Sequence, residues 1–359
     1  MAEKEEVCHS LTYDPDFDGY AYNRSTHQEQ KKVEQLLGDA HGVDKKRVNL
    51  TVSGDETITL TLHMIMLISK FANINIIYSD ELYCDTPRQI KYFDDTYKVS
   101  NINTFNVLNG KQLLEDFNTK YKGQINVLIF ESCSNPNGHI LDFSILSELR
   151  KLSSKLYVVV DNTWTTHVVF NPLQFEDVDI VVSSMSKHYS GGICIGGFII
   201  APKKFSSKLR NHMRINGSHI SVPYCQTWQK HIPDMRKRIS ISFRNTLGMA
   251  EYLSNHPTVV HVNYPFLKNH SSSKLACEYF KYGPTVLTFI IPLNKVDAIK
   301  WMKEFPTIEF KTSFGSKDSK LDPWPTKDGD NTICRFAIGY ESNHDELVSE
   351  FDSMLKMIK

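Results

Sequence analysis

The chain carries no surplus of charge. Its 41 lysines and arginines meet 41 aspartates and glutamates, for a formal net charge of zero. That balance excludes a protein built mainly to bind nucleic acid or an anionic membrane. Long apolar runs are missing too. Stretches such as "LTFIIPL" fall well short of the ~20 residues needed to span a bilayer. The opening "MAEKEEVCHS" is acidic and lacks an apolar core, so no secretory signal is expected and the expected location is cytoplasmic. Cysteine is sparse: seven residues, an odd number without a CxxC pair, favour reduced thiols over a disulfide framework or a zinc site. No metal is expected. Internal repeats, heptad arrays and low-complexity tracts are also absent. So is a dinucleotide fingerprint, because "GGICIGG" leads into a strand instead of opening a helix.

What is present is an ordinary globular composition, 41% hydrophobic and 23% charged, over 359 residues. Such a length buries a substantial core. The expected division is an amino-terminal arm at 1–30, a large domain at 31–240 and a small domain at 241–359. The runs "NINIIYS", "INVLIFES", "LYVVVDN", "DIVVSS" and "GGFIIAP" are rich in Val and Ile and continuously apolar. Continuous patterns predict strands covered on both faces, as in a parallel sheet. Segments of helical spacing such as "LDFSILSELRKLSS" lie between them, which predicts a doubly wound α/β domain. From Gln226 to His256 the pattern is helical. Beyond it, "TVLTFIIPL", "IEFKTSF" and "ICRFAIGY" read as strands of the second domain, and Ser342 with Asp345 reads as the cap of a last amphipathic helix. The polar "GSKDSKLDPWPTKDGDN" reads as a surface loop.

In open α/β sheets, ligands bind at the carboxyl ends of the strands. Asp161 ends one apolar run and Lys187 follows the next. Earlier, a strand-like run passes through Ser53, Gly54 and Asp55 into a helical pattern. Glycine there admits a close ligand, and the helix start offers unpaired N–H groups to an anion. An anion cradle, a carboxylate and an amine around one crevice are the parts that pyridoxal phosphate requires. Each part also has a plainer reading: a turn, a helix cap and a solvated lysine.

The order of the motifs narrows the choice. "DNTW" followed by "NPLQFEDVDIVVSSMSKHYSGG" closely resembles the lysine-bearing signature of the Cys/Met-metabolism family of pyridoxal-phosphate enzymes. "YAYNRSTHQE", "ELYCDT", "ESCSNPNG", "SFGS" and "CRFAIGYESNHDEL" resemble further motifs of that family, in the family's order and over nearly the whole chain. The resemblance implies an aspartate-aminotransferase-like α/β fold and a cystathionine lyase, with γ-replacement on an acyl-homoserine as the alternative. A non-catalytic protein on the same fold is the rival of another class.

The resemblance also implies roles. Lys187 bonds the cofactor aldehyde and moves the Cα proton. Asp161 pairs with the pyridinium nitrogen, and Tyr83 stacks on the ring. Gly54, Asp55, Ser184 and Ser186 hold the phosphate next to Ser53, and Asn135 and Ser313 complete the wall. Arg335 takes the substrate carboxylate. Tyr22 and Arg24 reach a neighbouring subunit's phosphate, which implies a homo-oligomer: a dimer with shared sites, expected to pair into a tetramer. Without the family, Tyr83 reads as a core aromatic, Arg335 as an ion-pair partner, and Cys84 and Cys194 as small buried hydrophobes. The departures concern specificity. Asp55 stands where the family has methionine, and Asp85 stands where methionine γ-lyases have cysteine. Trp164 is reminiscent of cystathionine β-lyases. The arm before Tyr22 and the loop between Ser313 and Arg335 are short.

Overall fold

The computed structural model describes residues 26–98, 100–326 and 329–358. Apolar runs set the architecture by pairing into two sheets. The larger one uses β1 (Val48–Thr51), β2 (Ile74–Ser79), β3 (Ser100–Phe105), β4 (Ile125–Glu131), β5 (Leu156–Asp161), β6 (Ile180–Ser184) and β7 (Gly197–Ile200). Their spatial order is β1-β7-β6-β5-β4-β2-β3. Five of these strands, from β3 across to β6, run parallel. β7 runs antiparallel to both β6 and β1. The sheet is thus mostly parallel, and "GGFIIAP" is its antiparallel member beside β6: a run buried on both faces fixes burial, not direction.

Strand periodicity then fills a core on each face. Val127, Ile129, Val159, Val182 and Ile199 pack on one side. Leu128, Phe130, Val158, Val160 and Phe198 pack on the other. β3, "SNINTF", was not expected from its polar sequence. As an edge strand with mostly half-exposed residues, it needs little apolar content.

The second sheet has the order β10-β11-β12-β9-β8, with β8 at His261–Asn263, β9 at Val286–Ile291, β10 at Glu309–Phe310, β11 at Lys320–Pro325 and β12 at Thr332–Ala337. Two expectations fail here. "IEFKTSF" yields only a two-residue strand. The supposed loop contains β11, "KLDPWP", paired residue for residue with β12. Its prolines are tolerated because β10 bonds only Lys320 and Leu321, leaving the rest of that side unpaired by strands. The final helix spans His344–Leu355, and its cap is Asn343, which accepts from the Asp345 and Glu346 amides, so Ser342 lies one residue too early.

The small sheet's core closes around Phe351 of that helix, in ring contact with Phe289, Phe305 and Phe336. Phe351→Ala should therefore cost about 3–5 kcal/mol. Tyr92→Ala, at a residue 73% exposed, should shift stability by less than ~0.5 kcal/mol. Urea denaturation distinguishes the two, and equal costs would contradict this picture of the core.

Candidate active site

Several strands of the large sheet end at one edge, and each delivers a polar group there. β4 ends in Glu131 and β5 in Asp161, which are cross-strand partners in register. Lys187 follows β6, and the turn after β1 leads through Ser53 into the helix Gly54–Ile68. A cavity of about 420 Å³ opens at this edge, within the ~300–1,000 Å³ range of small-molecule sites. Every site residue expected from the sequence and lying among the described residues lines it: Ser53, Gly54, Asp55, Tyr83, Asn135, Asp161, Ser184, Ser186, Lys187, Ser313 and Arg335. Tyr22 and Arg24 lie outside the described residues.

The helix start is built by a reciprocal cap. Ser53 Oγ accepts from the Glu56 amide at 3.1 Å, and Glu56 Oε2 accepts from the Val52 amide at 2.7 Å. The Ser53 hydroxyl is thereby used inside the protein. Gly54 has to be glycine here, because a Cβ would sit 2.6 Å from Ser184 Cβ. Asp55 turns its carboxyl to Gln89, which donates at 3.0 Å. Burial, and then Asp85, raise the Asp55 carboxyl above its ordinary range.

Asp161 is held by its own turn. Its Oδ1 accepts from the Thr163 amide at 2.9 Å and the Thr163 hydroxyl at 2.6 Å, while Thr163 Oγ1 accepts from the Ser184 amide. Burial pushes Asp161 up to about 6, against those two bonds, with Asp55 adding to the rise. Glu131 gives one oxygen to the Tyr83 amide at 2.6 Å and the other to the Asn135 amide at 2.9 Å. Burial, and then the neighbouring Asp161, raise Glu131 well above the usual carboxylate range. Tyr83 is 38% exposed, with its hydroxyl donating to Asp85 at 3.1 Å, so it is no core aromatic. Its phenol is raised chiefly by burial, with Asp55 and Asp85 adding.

The second sheet supplies the opposite wall. Lys187 Nζ donates to Ser313 Oγ at 2.9 Å and lies 5.4 Å from the Phe314 ring centroid. Burial, followed by Arg335, lowers the Lys187 amine from its ordinary value. Ser313 adopts φ +94°, a conformation costly for a residue with a Cβ, and so brings its hydroxyl to the lysine from a strained backbone. Arg335 already meets Asp322 through Nε and Nη2, at 3.0 and 3.1 Å.

Sequence reasoning assigned no role to Glu131, Thr163, Thr312, Asp322 or Trp324. Glu131 carried the same signal as Asp161, a carboxylate ending an apolar strand. Asp322 and Trp324 carried none while their segment read as a loop. Cys84 is exposed and lines the cavity, and Cys194 is only half-buried, so neither is the buried hydrophobe expected. Among the described residues no His, Cys, Asp or Glu cluster could hold a metal ion, and no helix is long and apolar enough to cross a membrane.

These residues fit pyridoxal phosphate. The cradle at Gly54 excludes side chains, the buried Asn135 Oδ1 has no hydrogen-bond partner among the described residues, and an amine with a lowered pKa and the half-buried Asp161 carboxylate line the same cavity.

Among known proteins, O-succinylhomoserine sulfhydrylase of Mycobacterium tuberculosis is 26% identical over 248 residues, 64% of this chain and 60% of that protein. The chain thus spans less than two thirds of that relative's length. Cystathionine gamma-lyase of Mus musculus is 24% identical over 368 residues, 97% of this chain and 88% of that enzyme. In three dimensions, metB from Corynebacterium glutamicum superposes with a TM-score of 0.85 at 19% identity, covering 98% of this chain and 92% of that one. Cystathionine gamma-lyase from Lactobacillus plantarum gives a TM-score of 0.84, also at 19% identity, over 98% and 93% of the two chains. These likenesses establish the pyridoxal-phosphate fold type I architecture. Residues 5–356 match the family described as Cys/Met metabolism PLP-dependent enzyme, and the chain belongs to that family, whose cofactor is pyridoxal phosphate.

Proposed function

We propose that the protein is a cystathionine lyase, cleaving a C–S bond to release cysteine or homocysteine with a keto acid and ammonia. The observation that carries this reading is the convergence of Lys187, Asp161, Tyr83 and Arg335 on one cavity, in a chain that aligns with a cystathionine gamma-lyase over 97% of its length. Retention of all four groups argues against a non-catalytic role. γ-Replacement on an acyl-homoserine is the second reading, favoured by the sulfhydrylase likeness.

Lys187 would hold the cofactor covalently through Nζ, with Gly54, Asp55, Ser184 and Ser186 at its phosphate, Tyr83 on the ring and Asn135 at its edge. When bound, the cofactor's ring withdraws electrons and makes the Cα proton of an attached amino acid acidic. Asp161 would supply the negative charge that keeps the ring nitrogen protonated. Lys187 would accept the Cα proton at Nζ, a task helped by its lowered pKa. Ser313 orients that amine, and Arg335 binds the substrate carboxylate. A second copy of the chain would bring Tyr22 and Arg24 to the phosphate, making the functional unit at least a dimer. The functional division would follow the arm at 1–30, the large domain at 31–240 and the small domain at 241–359.

The decisive assay takes the purified protein with pyridoxal phosphate. Keto acid released from L-cystathionine supports the lyase. Keto acid released only from an O-acyl-homoserine, and suppressed by cysteine in favour of cystathionine, would replace it with the synthase reading. Lys187→Ala should lose the borohydride-reducible bond to the cofactor, and turnover should fall about 10²–10⁴-fold, while the protein still melts cooperatively. A reducible bond surviving in that variant would put the link on another lysine.

The raised pKa of Asp161 predicts a pH effect in the cofactor-free protein. Between about pH 4 and 6 the folded state keeps a proton that the unfolded chain has released, so stability falls as pH rises through that window. Asp161→Asn cannot ionise and should flatten that fall. Thermal melts across the window test it, and an unchanged slope would show that burial does not penalise the Asp161 charge.

A further inference from the structure

The strand that the sequence conceals places a second set of contacts on Arg335. Asp322 and Arg335 stand opposite each other on β11 and β12. Nε donates to Asp322 Oδ1 at 3.0 Å and Nη2 to Oδ2 at 3.1 Å, a side-on fork. Nη2 also donates to Thr312 Oγ1 at 2.7 Å. Trp324, two residues further along β11, donates its indole N–H to Asp322 Oδ2 at 2.9 Å. Its ring centroid lies 5.3 Å from Arg335 Cζ. The Nε proton and both Nη2 protons are thus committed within the protein. Nη1 is left without a hydrogen bond among the described residues.

An unrestrained guanidinium offers any of its edges to a carboxylate, and its long side chain loses rotamer freedom when it does so. Arg335 is 5% exposed and held by an ion pair that is itself largely buried, with Asp322 braced in turn by an indole. Its orientation is fixed before any ligand arrives. Trp324 and Arg335 both line the cavity, and Asp322 holds them together from outside its lining.

We propose that Asp322 and Trp324 are positioning residues for ligand recognition, locking the Arg335 guanidinium so that Nη1 is the donor presented to an amino acid's carboxylate. This rests on the reading of Arg335 as the carboxylate site. The grip is then through one nitrogen instead of a fork, and Asp322 partly neutralises the cation. Affinity depends on how the guanidinium is held more than on its charge. Trp324 also walls the cavity beside the ligand, where most of a flexible loop would have left it open.

The test uses the full-length protein loaded with pyridoxal phosphate, titrated with L-methionine and with 3-methylthiopropylamine, the same molecule without its carboxylate, and followed by cofactor absorbance. Asp322→Asn should weaken L-methionine binding ~10-fold and leave the amine unaffected. KM for L-cystathionine should rise by a similar factor with kcat little changed, and Asp322→Glu should recover part of the loss. Trp324→Phe keeps the ion pair and the fold but removes the brace, so it should give a smaller loss in the same direction. Acid and amine weakened equally would mean a merely structural role, and wild-type or tighter acid binding would mean that Asp322 only competes with the ligand. Either result overturns the proposal. Arg335→Ala separates the two levels: if it leaves the preference for acid over amine intact, the carboxylate reading of Arg335 itself fails.

Discussion

Two carboxylates that end neighbouring strands, Glu131 and Asp161, set the terms for the rest of the site. They are cross-strand partners at adjacent strand ends, where burial raises both carboxyls and the Asp161 charge raises Glu131 further. The surrounding chain answers that cost with hydrogen bonds. Glu131 ties down the loops bearing Tyr83 and Asn135 through their amides, and Asp161 is gripped twice by Thr163. A single buried acid therefore fixes two loops that arise from different crossovers. The other acid is left raised but held in place, ready to ionise beside a cation.

The second sheet completes the cavity because close backbone approach permits it. A Cβ on Gly315 would lie 2.6 Å from the His188 nitrogen, so the segment from Ser313 to Gly315 lies against the Lys187 turn without intervening side chains. That approach lets Ser313 reach the lysine from its positive-φ backbone and brings Arg335 close enough to help lower the Lys187 amine. The aromatic cluster around Phe351 holds the sheet that carries these groups. Chemistry in the cavity thus depends on packing at some distance from it.

Most of the large-sheet side of the site was legible in the sequence. Asp161 and Lys187 each follow a Val-rich run, and charge at the end of such a run is unusual enough to mark a functional edge. The Ser53-Gly54 turn was legible for the same reason, an abrupt change from strand to helix pattern. The small-sheet side was harder to read. β11 has two prolines and three charged or aromatic residues in six, "KLDPWP", and its identity as a strand comes from pairing with β12. Glu131 was visible but given no role, because its function is to accept from amides distant in sequence.

Local pattern by itself determined the alternating α/β order and the strand ends at which charged residues collect. Those features follow from side-chain hydrophobicity and short-range geometry, which each segment carries alone. Tertiary structure decided the antiparallel direction of β7, the strand at Lys320–Pro325, the pairing of Glu131 with two loops and the locking of Arg335 by Asp322 and Trp324. Each of these is a contact between segments far apart in the chain or between facing strands. Its free energy exists only once the partner is in place, and no single segment records it.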